Sequence, residues 1–135
     1  MPEEPKDLAR RWFEEVWNKQ SESAIEEMFH RDGKALGLPE PDSVIHGPDE
    51  FKVLHRTFLR TFPDLQIHLD DLIAEGNKVA VRWTATMTHL GNELGYAPTG
   101  KKLSLSGSSF LLCREGKIVE GWNSMDFTRL REQLQ

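Results

Sequence analysis

One cysteine, Cys113, is all the chain has, so no disulfide can close within it, and a reducing compartment is the expectation. Basic residues never run beyond pairs such as Arg10-Arg11 and Lys101-Lys102, and the formal charge is −5, so nucleic acid is not an expected partner. No window approaches the roughly 18 apolar residues of a spanning helix. Met1-Pro2-Glu3-Glu4 shows no basic segment leading into an apolar run, so no membrane partner is expected and a cytoplasmic location is. There is no His-Glu-x-x-His pair, no Gly-x-Ser-x-Gly elbow, no phosphate loop and no dinucleotide fingerprint. The five histidines form no compact ligand set, and neither a metal nor a cofactor is expected.

What the chain does have is 135 residues with 38% hydrophobic content, enough for one domain over 1–135 with one core, and therefore one site to look for. From Pro5 to Asn18, Leu8, Ala9, Trp12, Phe13, Val16 and Trp17 recur at helical spacing and make one apolar stripe. Ser21 is placed to cap a short second helix carrying Ala24, Ile25, Met28 and Phe29. The stretch from His30 to Gly47 is polar and punctuated by glycine and proline, which predicts loop with at most one short strand. Gly47-Pro48-Asp49 opens a third helix with Phe51, Leu54, Phe58, Leu59 and Phe62 inward, and Pro63 ends it.

After Pro63 the period changes from helical to alternating. Leu65 to Ile73 reads as a strand, Glu75-Gly76-Asn77 as a turn, and Lys78 to Leu90 as a long strand with Val79, Val81, Trp83, Ala85 and Met87 on one face. Strands from about Lys102 to Arg114 and from Lys117 to Asp126 follow, joined at Glu115-Gly116. The shift from Leu103 and Leu105 to Phe110 and Leu112 predicts a bulge at Gly107. Three N-terminal helices followed by an antiparallel meander make the fold class α+β.

On an unbroken last strand Ile118, Glu120, Trp122, Ser124 and Asp126 share a face, opposite Val119, Gly121, Asn123 and Met125. Asp126 is then either a carboxylate beside indole, usable as a general acid or base, or the cap of a closing helix, since Phe127, Leu130 and Leu134 follow at helical spacing. His46 and His89 lie where loops meet regular elements and are kept as site candidates. Cys113, in the run Leu111-Leu112-Cys113, reads as packing. Trp83, Trp122, Ser109 and Asn123 could line a pocket at the open end of the sheet, and the loop Gly91 to Gly100 is either its rim or lid or a folded surface loop.

Val16-Trp17-Asn18, Phe62-Pro63-Asp64, Val81-Arg82-Trp83, Thr88-His89-Leu90-Gly91, Pro98-Thr99-Gly100 and the run from Gly116 to Asn123, in this order over nearly the whole chain, resemble the SnoaL-like polyketide cyclase family. The resemblance implies an NTF2-like cone of curved antiparallel sheet wrapped by helices around a pocket, usually in a homodimer and related in fold to ketosteroid isomerase. It also implies ring closure of a small apolar carbonyl or ester compound by cofactor-free acid-base chemistry. In characterised members the acid-base aspartate falls at the place taken here by Asn123, a second acidic position matches Asp126, a histidine falls near Leu111 and an asparagine near Ala35.

The expected function is therefore a cyclase or isomerase, with Asp126 as acid or base, Asn123 as a polarising donor and His46 assisting. Trp17, Phe62, Trp83, His89, Tyr96, Ser109 and Trp122 are the expected substrate contacts. A proton shift of the ketosteroid-isomerase kind, an epoxide-hydrolase-like reaction, a binding domain without turnover, and association through the outer sheet face stand as alternatives. An acidic group on the pocket lining is what the catalytic expectation requires.

Overall fold

The computed structural model describes residues 3–135. Helix α1 (Pro5–Arg11) begins on a proline, whose fixed φ and missing N–H suit a first turn, and runs straight into a π-helical segment, Trp12–Asn18. There Lys19 N–H reaches back to Glu14 O at 2.8 Å. The wider turn gives the stripe room for two indoles, and Leu8, Trp12, Phe13, Val16 and Trp17 are all buried. Ser21 Oγ accepts from Ala24 N–H at 3.2 Å and caps α2 (Glu22–Met28) as its sequence predicts.

The stretch expected to be mostly loop instead holds two strands, β1 (Phe29–Leu36) and β2 (Val44–His46), which pair antiparallel. Their residues are polar because one face is open to water, and only Phe29, Gly33, Ala35 and Ile45 are buried. Helix α3 (Gly47–Thr61) lays Phe51, Leu54, His55 and Phe58 inward, and Phe62 closes it ahead of Pro63. Strands β3 (Gln66–Glu75), β4 (Lys78–Thr88), β5 (Lys102–Arg114) and β6 (Lys117–Met125) form the expected meander, and α4 (Phe127–Leu134) follows. The sheet order is β2-β1-β6-β5-β4-β3. It is mixed rather than antiparallel throughout, because β1 joins β6 in parallel. Among the described residues there are four α-helices rather than three, the fourth being α4 behind Asp126.

Two details decide which side chains face inward. Strand β5 shows no phase change at Gly107: Leu103, Leu105, Ser109, Leu111 and Cys113 are all buried, and Phe110 is exposed. Register with β4 runs through Gly107 without interruption, where Gly107 lies opposite Trp83. Glycine is needed there for space, since a Cβ would stand 2.6 Å from Trp83 Cη2 and 2.7 Å from Ser124 O. The irregularity lies elsewhere. Leu112 pairs with Glu120 but Cys113 with Ile118, which leaves Val119 as an extra residue on β6. That bulge reverses the alternation, so Ile118 and Gly121 are both buried while Trp122 is 37% exposed. No helix of the described residues is long and apolar enough to cross a membrane.

Candidate functional site

Between the π-helical segment, the end of α3, the inner faces of β4, β5 and β6, and α4 lies a cavity of about 560 Å³ counted out to its mouth. The centre of a water molecule can occupy about 70 Å³ of it. Trp17 and Phe13 reach it from the first helix, Phe58 and Phe62 from α3, Trp83 and Met87 from β4, Met125 from β6 and Leu130 from α4. A second, deeper space of about 370 Å³ shares Phe13, Trp17, Leu38 and Asn123 with the first and is otherwise enclosed by groups such as Phe29, Ala35, Phe51 and Leu111. Apart from backbone, the polar groups on either lining are Ser109, Asn123 and the indole N–H groups.

Ser109, Asn123 and the Trp83 indole form one chain. Trp83 Nε1–H donates to Ser109 Oγ at 3.1 Å, Ser109 Oγ–H donates to Asn123 Oδ1 at 2.7 Å, and Asn123 Nδ2 donates to Leu36 O at 3.0 Å. The direction is fixed by chemistry: Leu36 O can only accept and indole N–H can only donate, so the hydroxyl and the amide have one consistent orientation each. Gly37 makes the far end possible. It has φ +86°, and a Cβ there would collide with Asn123 O. One amide N–H and one Oδ1 lone pair of Asn123 remain for a ligand.

Of the ten residues singled out in the sequence, five come together here: Asn123, Ser109, Trp83, Trp17 and Phe62. The others do not. Asp126 is exposed and caps α4, its Oδ1 accepting from Arg129 N–H at 2.9 Å, so the cap reading holds, and its carboxylate lines neither cavity. The β6 bulge explains it, because the alternation that would have aimed Asp126 inward is broken at Val119. His46 is exposed at the start of α3, with its backbone N–H donating to Glu50 Oε1 at 2.9 Å. Trp122 lies on the outer face under the Lys78 ammonium, 5.7 Å from its ring centre.

His89 is buried beside Phe62 but lines neither cavity. Its Nδ1 faces Thr99 Oγ1 at 3.1 Å and accepts from Thr99 N–H at 3.3 Å, which ties down the loop from Gly91 to Gly100. Tyr96, on that loop, packs at the edge of the core and lines neither cavity, and no residue from 91 to 100 does. The loop is a folded surface loop rather than a lid. The requirement of an acidic group on the lining is not met. Among the described residues no three His, Cys, Asp or Glu side chains converge as metal ligands would.

Two features escaped the sequence reading. His55, 1% exposed, holds Val16 O from Nε2 at 2.6 Å and packs on Trp17, and burial pushes its imidazole below the ordinary value. The contact fixes the carbonyl of the π-helical segment that aims Trp17 at the cavity. Asn18 exchanges two hydrogen bonds with Ile67, 2.9 and 2.7 Å, and pins β3 to the same segment. The spacing of a helical stripe gives no signal of either.

A curved, unclosed sheet with helices over one face and an apolar hollow between them defines the NTF2-like α+β class. Within that class the chain belongs to the SnoaL-like polyketide cyclase family, matched over residues 7–134. AclR, a hydroxylase candidate from Streptomyces galilaeus, is 30% identical over 96% of this chain and 80% of that one, with a TM-score of 0.82. TsrD from Streptomyces laurentii is 26% identical over 95% of this chain and 92% of that one, with a TM-score of 0.81. A SnoaL-like polyketide cyclase candidate from Jannaschia sp. CCS1 has a TM-score of 0.88 over 96% of this chain and 90% of that one; at 17% identity it speaks for the fold alone. No curated protein matches the sequence.

Proposed function

We propose that the chain is a cyclase or isomerase of the SnoaL type that takes a small, largely apolar carbonyl compound, with Asn123 gripping the carbonyl. The observation that carries this reading is the lining, which apart from indole N–H groups is apolar except for one hydrogen-bonded chain that includes an amide with a second N–H left for a ligand. An amide cannot take up the proton that a carboxylate would, so the chemistry rests on two other means. Walls such as Trp17, Phe62 and Trp83 hold a flexible chain coiled, and well-oriented intramolecular reactions gain effective molarities on the order of 10⁵ M or more. The amide N–H, held rigidly by Ser109 and Leu36 O, stabilises negative charge that builds on the carbonyl oxygen, a contribution on the order of a hundredfold in rate for one such donor. The substrate class that fits is one whose nucleophile is already activated, so that ring closure needs no base from the protein.

The test is incubation with a panel of linear polyketide-like carbonyl compounds, read by tryptophan quenching for binding and by mass and chromatography for products. A cyclised isomer of unchanged mass, or one lighter by water, formed by the wild type and lost in Asn123→Leu with binding retained, is the expected result. A product heavier by one oxygen favours the hydroxylase reading suggested by the likeness to AclR. Saturable quenching with no product over long incubation makes the domain a binding module and ends the catalytic proposal.

A further inference from the structure

Gly121 has no backbone reason to be glycine. Six of the ten glycines turn through a positive φ, and at Gly33, Gly91 and Gly107 other atoms stand where a Cβ would go. Gly121 lies inside β6 without a positive φ, and a Cβ there would meet one atom, Leu111 Cδ2, at the 3.4 Å of ordinary packing. A glycine inside a strand weakens it, because it loses more conformational freedom on folding and has no side chain to pack. What it leaves is room. Gly121 lies beside Ala35 of β1 on one side and Leu111 of β5 on the other, and all three line the deeper space.

The rest of that lining is largely aromatic. Trp12, Trp17, Phe29 and Phe51 form one cluster with neighbouring ring centres 5.1 to 6.0 Å apart, and Phe51 meets both indoles edge-on. The centre of a water molecule can occupy about 30 Å³ of the space. Widened by a water radius on every side, that is roughly 150 Å³ clear of atoms, the size of an apolar hole that takes up benzene. Asn123 belongs to this lining and to that of the outer cavity, so a carbonyl held by its amide stands where the two meet.

We propose that this deep lobe, opened by Gly121, receives a single aromatic ring of the substrate, carried a carbon or two from the carbonyl, while the remainder lies in the outer cavity. The placement of the carbonyl rests on the reading of Asn123 as its partner; the lobe itself does not. A phenyl ring fills the volume and extends the cluster with edge-to-face contacts, whereas a fused second ring exceeds the space. Gly121 is then a specificity-determining residue. Its missing side chain costs the strand stability and sets the size of the group that enters.

Titration calorimetry and tryptophan fluorescence of the full chain with benzene, 1-phenylpropan-2-one and its 2-naphthyl counterpart test the proposal, with circular dichroism to confirm folding. The wild type is expected to bind the phenyl ketone at least about tenfold more tightly than benzene, through the added hydrogen bond, and than the naphthyl ketone. Gly121→Ala is expected to raise the melting temperature by about 1–4 °C and to weaken benzene and the phenyl ketone by about tenfold to a hundredfold. Adding Leu111→Ala, which removes the atom the new methyl touches, is expected to bring both back within about threefold of the wild type. Asn123→Leu is expected to abolish the ketone's advantage and to leave benzene within about threefold. Absence of benzene binding overturns the proposal, as does a naphthyl ketone bound as tightly as the phenyl one. So does a Gly121→Ala protein that binds like the wild type or melts lower than it, or a second substitution that fails to rescue. A phenyl ketone no tighter than benzene in the wild type reduces the lobe to a gap in the packing and overturns it too. An Asn123→Leu protein that keeps the full advantage of the ketone counts instead against Asn123 as the carbonyl's partner, and leaves the ring site standing.

Discussion

Ser109→Ala removes one oxygen from the middle of the Trp83, Ser109, Asn123 chain and leaves two groups without partners. The indole N–H of Trp83 sits in the sheet wall beside Ser109, which is 1% exposed, and loses its acceptor outright; an unsatisfied buried donor costs about 1–3 kcal/mol. Asn123 Oδ1 loses its donor too but faces the cavity, where the 70 Å³ open to water centres admits a replacement, so its share is about 0.5–1 kcal/mol. The expected destabilisation is about 2–3 kcal/mol, which in a domain of this size lowers the melting temperature by roughly 6–12 °C. Urea unfolding followed by tryptophan fluorescence and circular dichroism gives the number directly. Ser108→Ala, on the other face of the same strand, is expected to stay within about 0.5 kcal/mol of wild type. Trp83→Phe removes the donor, so the double variant with Ser109→Ala is expected to fall about 1 kcal/mol short of the sum of the singles. A Ser109→Ala protein within 0.5 kcal/mol of the wild type, or strictly additive singles, would show that the chain does not hold the amide and would remove the basis for Asn123 as a preset donor.

Asp126→Ala is expected to cost about 1 kcal/mol through the lost α4 cap while leaving ligand affinity and turnover unchanged, and a loss of turnover larger than the loss of folded protein would contradict the cap assignment. Because burial holds His55 below its ordinary 6.5, the unfolded chain takes up a proton that the native protein resists. The stability His55 contributes is therefore complete above about pH 6.5 and is lost as the pH falls through the lower folded value. Urea titrations across that window should show a slope that His55→Phe flattens. The Cys113 thiol is pushed up to about 11 by burial, so a thiol reagent is expected to label the native protein only at the rate of its opening, and a fast labelling phase in native buffer would show that the strand is not packed as described.

The elements that local period determines were legible. The alternation from Val79 to Met87, the α3 stripe and the Ser21 cap correspond to buried positions and bonds in the structure. The segments that carry the family resemblance were legible as motifs but not as roles. Asp64 takes two hydrogen bonds from Thr88, which hold its carboxyl below the usual range; His89 holds Thr99, and Asn18 holds Ile67. These side chains clasp loops and edges, which explains why they point to the fold and not to the chemistry. Partnerships set across long separations were not legible. Nothing in His30 to Leu36 announces a parallel match with β6, and Phe110 and Trp122 read as core by type although the sheet turns them outward. The inserted Val119 is the most consequential case, because one residue decides whether Trp122 or Asn123 faces the hollow.

Asn123→Asp therefore asks what it takes for this cavity to hold an ionisable group. The carboxylate would still accept from Ser109 Oγ–H, but its second oxygen would meet Leu36 O, an acceptor facing an acceptor where the amide now donates. Its surroundings offer no support, since Leu111 and Ala35, at the places where the family resemblance puts a histidine and an asparagine, are 4% and 3% exposed hydrocarbon. Desolvation and the carbonyl both favour the protonated form, so the folded value rises above the unfolded one. The variant is then close to wild type in stability in mild acid and loses stability as the pH rises from about 4 through the folded value, at about 1.4 kcal/mol for each unit by which that value is raised. Unfolding curves of the two proteins at matched pH values measure the difference. An Asn123→Asp protein as stable as the wild type at pH 7 would mean that water or a cation reaches the amide position, and the hollow would then be a wet site able to run acid-base chemistry rather than a dry one that works by confinement.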